Sequence, residues 1–323
     1  MSTAAPTVDV VVATYNRPDN VRVCLQHLQR QTRTPESIVV VDSSPHRLTA
    51  DVVAGFPGVR YLRNEAGRGT TATSRAIGVA ETDSDIIAFI DDDAYAEPDW
   101  LANIVARYAD PSVAAVGGRA SNGRPGEENE GLDAVGRLLP DGTLTGNFAA
   151  DTGHDVDVDH VLGANMSVRR SALEEIGGIV DLYPGTCLRE ESDFVLRLGR
   201  AGHRVVYTPA AVVEHVAGTY ARGRRFDVRY TFYGNRNHVV LLSHAFGMDA
   251  PIVRRYYGVA LRQVGSFIVD GAKAVVAPGR TPRQRVRALG GGALHASAAF
   301  GGIAVGTTAA VRTVLGDRRP PRA

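Results

Sequence analysis

Cysteine is almost absent from this chain of 323 residues, in which only Cys24 and Cys187 occur. Neither cysteine lies in a CxxC or cysteine and histidine ligand spacing, which argues against a disulfide framework and a structural zinc site. Such sparse cysteine fits a reducing cytoplasm. Residues 1–7 also lack a basic segment followed by an apolar core, so we expect no secretory signal.

The chain also lacks an excess of positively or negatively charged residues. The chain has 36 Lys and Arg against 35 Asp and Glu, a formal net charge of +1. Whole-protein electrostatics therefore give no reason to expect a nucleic-acid partner, and any basic surface must be local. The length suits one large catalytic domain with an appendage.

The first part of the chain alternates between two hydrophobic periods. Apolar runs bounded by turn formers predict buried parallel strands at Val8–Ala13, Ser37–Val41, Val59–Leu62 and Ile86–Ile90. Apolar residues at helical spacing predict helices over Asp19–Gln29, Thr70–Ala80 and Leu101–Tyr108. This alternation predicts an α/β fold with a doubly wound, mostly parallel nucleotide-binding sheet, whose ligands bind beyond the carboxyl ends of the strands.

The second part of the chain is less regular. Gly, Asn, Pro and acidic residues over Arg119–Gly153 predict a long, partly mobile loop region. Further elements are predicted as a helix capped by Ser171 and Glu174 and stopped at Gly177, a helix over Ser192–Ala201, and strands at Val205–Tyr207 and Ala211–Val213.

These patterns divide the chain into a catalytic domain and an extension. We expect the catalytic domain at residues 1–220, with a nucleotide-sugar half to about residue 118 and an acceptor half over 119–220. Residues 221–323 are expected to form a helical C-terminal extension that ends in a disordered tail rich in Pro and Arg.

Three consecutive acids, Asp91, Asp92 and Asp93, follow the strand that ends in Phe89 and Ile90. Adjacent like charges repel, so a strand end that keeps them needs full solvation or a compensating cation. Mg²⁺ or Mn²⁺ is commonly held by one or two carboxylates together with substrate phosphates. The alternative is a solvated turn that caps the next helix.

A second acidic group, Glu190, Glu191 and Asp193, opens the helix that runs to Ala201. Acids at a helix start stabilise the macrodipole, which is one interpretation of this cluster. The other is that a carboxylate here accepts the proton of an attacking hydroxyl group. One base and one orienting partner suffice for that chemistry.

Polar residues also follow the first two strands. Thr14, Tyr15, Asn16 and Asp42 come directly after buried strands, where the loops of such a fold face a base and a ribose. Arg68 and Arg75 lie near Gly67 and Gly69 and are candidates to meet diphosphate oxygens. As an isolated residue, either arginine is more often a surface residue.

Seven motifs in order resemble a family 2 glycosyltransferase over about Val8 to Leu242. They are VVVATYNRP, VVVDSS, NEAGRG followed by SRAIG, FIDDD, LGANMSVRR, REESDF and VVEH. The resemblance implies a GT-A fold, inversion at the anomeric carbon and a nucleotide-diphosphate sugar donor.

The resemblance also implies a role for each matching position. Thr14 and Asp42 hold the base and ribose, with Arg75 near them. Asp91 and Asp93 form the DxD pair, with Asp93 on a divalent metal, Mg²⁺ or Mn²⁺, and Asp91 on the ribose side. We count Asp91 also as a metal ligand and Asp92 with the nucleotide-binding residues. Gly163, Ala164 and Asn165 line the acceptor or donor-sugar pocket, to which we add Asp193. Glu191 takes the place of the catalytic base, with Glu190 as its rival, and His215 approaches the metal or the diphosphate.

The chain departs from the family pattern in three places. Ser43 and Ser44 follow Asp42 where a second Asp and a Gly are usual, and Glu191 stands where Asp is usual. A QxxRW sequence, typical of processive synthases, does not follow the acidic cluster. We therefore expect an enzyme that adds a single sugar.

Two other functions are weighed against this one. A sugar nucleotidyltransferase also combines an α/β fold with paired aspartates, but it needs a Gly-rich, Lys-containing phosphate loop where this chain has Thr14, Tyr15 and Asn16. A non-catalytic nucleotide-sugar-binding scaffold predicts degraded acidic positions, whereas Asp91, Asp93 and Glu191 are all acidic.

The C-terminal extension raises the question of a membrane. Residues Ala288–Val311 carry no charged side chain, and Arg280, Arg283, Arg285 and Arg287 precede them. The stretch is rich in Gly and Ala, so we expect a membrane-surface or packed helix rather than a transmembrane one. A cytoplasmic enzyme at the inner face of the membrane, with a lipid-linked, envelope-glycan or small-molecule acceptor, is one expectation, and simple packing or a dimer contact is the other.

Overall fold

The computed structural model describes residues 5–216 and 227–316, which form two compact units. The first unit contains residues 5–138 and 144–216, and the second contains residues 139–143 and 227–316. The boundary expected near residue 220 and the tail expected to be disordered both lie outside the described residues.

The first unit is built on one mixed sheet. Its strands are β1 (Val8–Thr14), β2 (Ser37–Asp42), β3 (Val59–Arg63), β4 (Ile86–Asp91), β5 (Ala94–Ala96), β6 (Val113–Ser121), β7 (Val156–Asp157), β8 (Asn165–Arg169) and β9 (Arg204–His215). They lie in the order β3, β2, β1, β4, β8, β6, β9, β5, and β7 pairs with β9.

The first four strands of this sheet that the sequence predicts are confirmed as a parallel set. β1 pairs in parallel with both β2 and β4, and β2 pairs in parallel with β3. The second half is mixed, because β8 runs antiparallel between β4 and β6, whereas β6 and β9 are parallel. Strand β6 crosses residues 118 and 119, so the expected nucleotide and acceptor halves share it.

Six helices cover the two faces of the sheet within the described residues of the first unit. They are α1 (Pro18–Leu28), α2 (Leu48–Val53), α3 (Thr71–Ala80), α4 (Trp100–Arg107), α5 (Arg170–Glu175) and α6 (Glu190–Arg200). Along β1, Val10 and Val12 join one apolar cluster and Val11 joins another. Apolar residues on both faces of a strand are what a sheet covered by helices on both sides requires.

Three local predictions are corrected by the structure. Helix α5 begins at Arg170 after Arg169, so Ser171 lies inside the helix and makes no capping box. The two strands expected between Val205 and Val213 form the single strand β9, whose pairing with β6 contains a register shift. Helix α6 begins two residues earlier than expected, which places Glu190 and Glu191 in its first turn.

The second unit consists of helices α7 (Val228–Phe246), α8 (Pro251–Val276) and α9 (Pro282–Gly316), together with residues 139–143. The side chain of Asp227 caps α7 by accepting a hydrogen bond from the Tyr230 amide at 2.6 Å. Among the described residues, one helix, Pro282–Thr313, is long and apolar enough to cross a membrane by length and composition, with a mean hydropathy of 1.3 in its most apolar window.

Candidate active site

The parallel strands bring the first polar residues after β1 and β4 together. In the register of these strands Ala13 is opposite Asp91, so Thr14 and Asp92 follow side by side. The Thr14 hydroxyl donates a hydrogen bond to Asp92 at 2.7 Å, and both side chains are buried. Thr14 therefore holds the Asp92 side chain within the acidic turn.

Arg17, which the sequence analysis did not single out, spans the same acidic turn. Its Nη1 lies 3.0 Å from Asp92 Oδ1 and 2.7 Å from Asp93 Oδ2. The sequence signal was present, since Arg17 follows Thr14, Tyr15 and Asn16 at the end of β1. Its partners, however, lie 75 and 76 residues away along the chain, and only the parallel pairing makes them neighbours.

The pKa values of Asp92 and Asp93 shift in opposite directions because their surroundings differ. Burial, with the nearby charges of Asp93 and Asp91, raises the pKa of Asp92 to about 7 in spite of Arg17 and Thr14. Burial also acts to raise the pKa of Asp93, but the hydrogen bond from His215 and the charge of Arg17 outweigh it and lower the pKa. Asp93 is therefore ionised at neutral pH.

His215 reaches Asp93 through the antiparallel pairing of β5 with β9. Ala94 lies opposite His215 in that register, and the Val216 amide donates to the Asp93 carbonyl at 2.9 Å. The His215 Nε2 atom is 3.5 Å from Asp93 Oδ1. The short strand β5 was not predicted, and it is the element that joins the end of β9 to the acidic turn.

Asp91, Asp93 and His215 together offer ligand atoms for a metal ion. One carboxylate oxygen from each aspartate and an imidazole nitrogen all lie within 4.8 Å of one another. Carboxylate oxygens suit Mg²⁺ and Mn²⁺, and Asp91 is 35% exposed, so the group is open to a nucleotide on one side. The residues therefore fit a divalent ion.

Arg75 connects this acidic turn to the second acidic cluster. It is 3% exposed, and its Nη2 donates to Asp91 Oδ1 at 3.0 Å and to the Gly163 carbonyl at 2.9 Å. Its Nη1 forms an ion pair with Glu190 Oε1. A Cβ at Gly163 would lie 2.9 Å from Arg75 Nη2, so glycine is needed there to admit the guanidinium group.

The two glutamates at the start of α6 have different environments. Glu190 is buried against Arg75, whereas Glu191 is partly exposed and is in no ion pair with a described residue. Desolvation raises the pKa of Glu191 above its ordinary value, in spite of the charge of Arg75. Arg189, which precedes them, has a left-handed backbone with φ of 81°, and this turn directs the chain into α6.

The loops after β1, β2 and β3 form a rim with mixed accessibility. Asn16 is exposed, with φ of 62°, and its amide donates to Ser44 Oγ at 2.7 Å. Tyr15 is partly exposed, and Arg68 lies exposed between Gly67 and Gly69, both with positive φ. These three residues are accessible to a ligand.

Asp42, expected to hold the base and ribose, is buried in this structure. It is 0% exposed, Tyr61 donates to its Oδ2 at 3.0 Å, and the Ser44 amide donates to its Oδ1 at 2.9 Å. The serines that depart from the family pattern thus form the turn around Asp42.

Three residues assigned to the sugar pocket, Ala164, Asn165 and Asp193, are also buried. Asn165 is 0% exposed, accepts from Trp100 Nε1 at 2.8 Å and donates to the carbonyls of Arg119 and Ala211, both at 2.9 Å. Ala164 belongs to an apolar cluster.

Asp193 is 1% exposed, with its oxygens held by Tyr183 at 2.7 Å and by Arg197 at 2.9 Å. Asp193 lies two residues after Glu191 in α6, and positions two apart on a helix point in different directions. Gly163 of the LGAN segment contacts a charged group of the site, because its carbonyl accepts the hydrogen bond from Arg75.

Comparisons with known proteins show the family and the fold of this chain. The model of glycosyl transferase family 2 matches residues 9–177, slightly more than half of the chain. A pre-mycofactocin glycosyltransferase of Mycobacterium tuberculosis is 28% identical over 250 residues, which cover 76% of this chain and 50% of that protein. A glucosyl-dolichyl phosphate glucuronosyltransferase of Haloferax volcanii is 30% identical over 220 residues, covering 64% of this chain and 68% of that protein.

A solved structure shows the same fold over nearly the whole chain. A mannosyltransferase from Pyrobaculum calidifontis, in complex with GDP-mannose and Mn²⁺, has a TM-score of 0.59 and 22% identity, covering 98% of this chain and 89% of that one. The present chain spans only about half the length of the mycobacterial relative. The fold is thus of the GT-A type, and the chain belongs to glycosyl transferase family 2.

Proposed function

We propose that this chain transfers a single sugar from a nucleotide-diphosphate donor to an acceptor hydroxyl with inversion at the anomeric carbon. The observation that carries the proposal is the convergence of two acidic clusters at one sheet edge. Arg75 contacts both clusters. It donates to Asp91, which forms the candidate metal site with Asp93 and His215, and it pairs with Glu190, the residue before the candidate base Glu191. An inverting transfer needs both a site for the diphosphate and a base close to it.

Asp93, Asp91 and His215 would hold the divalent ion, which stabilises negative charge on the departing diphosphate. The low pKa of Asp93 keeps its carboxylate charged for that purpose. The solved mannosyltransferase contains GDP-mannose and Mn²⁺, which supports a nucleotide-sugar donor and Mn²⁺ for this chain as well.

Glu191 is the better candidate for the base. Glu190 already holds the buried Arg75, and a proton taken up there would break a buried ion pair. Glu191 is accessible and has a raised pKa, which strengthens it as a proton acceptor. Glu191 takes the acceptor proton, the resulting oxygen bonds to the anomeric carbon, and the bond to the diphosphate breaks with its electron pair leaving on the nucleotide.

The exposed rim residues Tyr15, Asn16 and Arg68 are placed to meet the nucleotide. Thr14, Asp92 and Asp42 lie behind them and shape the loops. We assign Arg75 to positioning of Asp91 and Glu190 rather than to direct contact with the diphosphate, because its guanidinium group is buried and engaged.

The acceptor is proposed to be lipid-linked or part of an envelope glycan, and the enzyme to work at the cytoplasmic face of a membrane. The Haloferax relative is named for a dolichyl phosphate acceptor, which is lipid-linked. One apolar helix in the second unit is consistent with membrane proximity.

A donor screen tests the proposed function. Purified protein is incubated with a panel of nucleotide sugars, with and without MnCl₂, and release of nucleotide diphosphate is measured. We expect release from one donor class, dependent on the metal. Pyrophosphate-dependent formation of a nucleotide sugar would instead identify a nucleotidyltransferase, and binding of a donor without turnover in the presence of acceptors would favour a scaffold.

A further inference from the structure

Helix α9 uses its small residues for close packing within the second unit. A Cβ on Gly292 would lie 2.5 Å from the Phe267 carbonyl oxygen of α8, and one on Gly306 would lie 2.6 Å from the Arg236 carbonyl oxygen of α7. Ala296, Ala299, Ile303 and Ala310 share this side of the helix and are buried. The richness in Gly and Ala is therefore explained by backbone approach between helices.

A neighbouring side of α9, next to the packed one, carries an exposed apolar stripe. Its members recur at intervals of three, four or seven residues, which places them on one helical face, and all are exposed: Val286, Leu289, Ala293, Ser297, Phe300, Ala304 and Val311. We call this set the α9 stripe. Val286 is 74% exposed, Leu289 50% and Phe300 57%, so the largest side chains of the stripe face solvent.

The stripe lies in a segment with only positive charges. From residue 271 to residue 316 the sequence has no Asp or Glu, whereas Lys273, Arg280, Arg283, Arg285, Arg287 and Arg312 are basic. The four arginines that come just before and within the first turns of α9 are exposed. The whole chain is nearly neutral at +1, so this charge is a local feature that matches an anionic partner.

An anionic lipid surface fits this combination better than other anions or a bilayer span. An apolar stripe on a helix lies well at the boundary between headgroups and acyl chains, with arginines at the ends reaching lipid phosphates. A nucleic acid would need Lys or Arg side chains along the stripe to contact its phosphates, but residues 288–311 carry no Lys or Arg. A span would also carry the helices packed on α9 into lipid, and Gly306 packs on the backbone of Arg236 in α7.

We propose that the α9 stripe and the arginines before it dock the protein on the surface of an anionic membrane, with α9 lying in the plane of the interface. Docking itself does not depend on catalysis. Its use, to bring the enzyme to a lipid-linked acceptor, rests on the function proposed above.

Flotation of the full chain with vesicles tests this docking. The vesicles are made either of equal parts phosphatidylcholine and phosphatidylglycerol or of phosphatidylcholine alone. We expect the protein to float with the anionic vesicles at low salt, to be released at high salt, and to remain at the bottom with neutral vesicles. Resistance to extraction with alkaline carbonate would overturn the proposal in favour of a helix that spans the bilayer.

Two sets of variants separate the charge from the apolar contact. The triple variant R283Q/R285Q/R287Q is expected to bind anionic vesicles about a hundredfold more weakly, since each arginine near such a surface is worth roughly fivefold in affinity. Its control, R22Q/R30Q/R47Q, makes the same charge change at exposed positions of the first unit and should bind like the unaltered protein. Equal loss in both triples would show a nonspecific charge effect and overturn the assignment.

The variant L289Q/F300Q removes the largest side chains of the stripe and is expected to bind at least tenfold more weakly, from lost apolar burial. Its control, L48Q/L132Q, alters residues that are 53% and 41% exposed in the first unit. If L289Q/F300Q instead converts a dimer into a monomer in light scattering and leaves flotation unchanged, the stripe is a self-association surface. Circular dichroism reports folding, and donor turnover in detergent-free buffer reports catalysis. A variant that no longer docks but keeps its turnover therefore leaves the proposed function intact.

Discussion

Glu190 and Glu191 are adjacent in the chain but separate in chemistry. Glu190 is buried in an ion pair with Arg75, and Glu191 is partly exposed. The sequence left either residue open as the base, because both are acidic and both open a helix. The ion pair of Glu190, which depends on a partner 115 residues earlier, favours Glu191.

Substitution of each glutamate by Gln distinguishes these roles. We expect Glu191→Gln to lower kcat by about a hundredfold to ten-thousandfold with little change in donor affinity or stability, since it removes only the proton acceptor. Glu190→Gln should reduce the free energy of unfolding by roughly 1–3 kcal/mol, because Arg75 loses its ionic partner while keeping a hydrogen-bond acceptor.

Single-turnover kinetics and chemical denaturation measure the two effects. Glu174→Gln, at an exposed position of α5, is the control and should match the unaltered protein in both. A drop in the chemical step for Glu190→Gln alone would move the base to residue 190.

The pKa of Glu191 makes a prediction about pH. A base works while deprotonated, and desolvation raises the pKa of this carboxyl. Activity should therefore be lost, as the pH falls, at a higher pH than the ordinary glutamate value of about 4.3. The acid limb of kcat/KM, measured with saturating Mn²⁺, tests this. An acid limb at or below the ordinary value, or one that persists in Glu191→Gln, would contradict the assignment.

Among the elements, the short strand β5 and the start of α6 were the least predictable. β5 has three residues and no signal of its own, yet its pairing with β9 places His215 beside Asp93. The early start of α6 follows from the left-handed turn at Arg189, which a non-glycine residue adopts only where the surrounding structure requires it.

The packing of α9 makes a prediction with an internal control. Gly292→Ala should lower the free energy of unfolding of the helical unit by about 1–3 kcal/mol, because its Cβ would press on the α8 backbone. Gly290→Ala should raise that free energy by about 0.5–1 kcal/mol, since a Cβ there meets no described atom within 4 Å and alanine favours a helix. Thermal denaturation followed by helical circular dichroism compares the two. Equal stability of the two variants would mean that α8 and α9 do not approach at Gly292.

For the whole molecule, ligand binding should appear as stabilisation. A nucleotide diphosphate that binds the folded chain at a hundred times its Kd stabilises it by about 2.7 kcal/mol. We expect the Tm of the full chain to rise with one of UDP, GDP, dTDP or CDP, and only when Mn²⁺ is present.

Asp93→Asn should lose the part of this rise that depends on the metal, because it removes a charged ligand of the proposed ion. Asp51→Asn, an exposed aspartate on α2, should keep it. Equal shifts with all four nucleotides and without Mn²⁺ would contradict a metal-dependent nucleotide site.

The sequence by itself determined the parallel strands, their helices and the family, because hydrophobic period and ordered motifs are properties of neighbouring residues. It also located the acids Asp91, Asp93 and Glu191 at the ends of elements. Which of the named polar residues are accessible was decided only by tertiary structure. Asn165, Asp193 and Asp42 are buried against Trp100, Tyr183 and Tyr61, which lie 65, 10 and 19 residues away along the chain. The partners of Arg17 and Arg75 were likewise decided by tertiary structure. Pairing of β1 with β4 brings Arg17 to Asp92, and the folding of α3 and α6 onto the sheet brings Arg75 to Glu190.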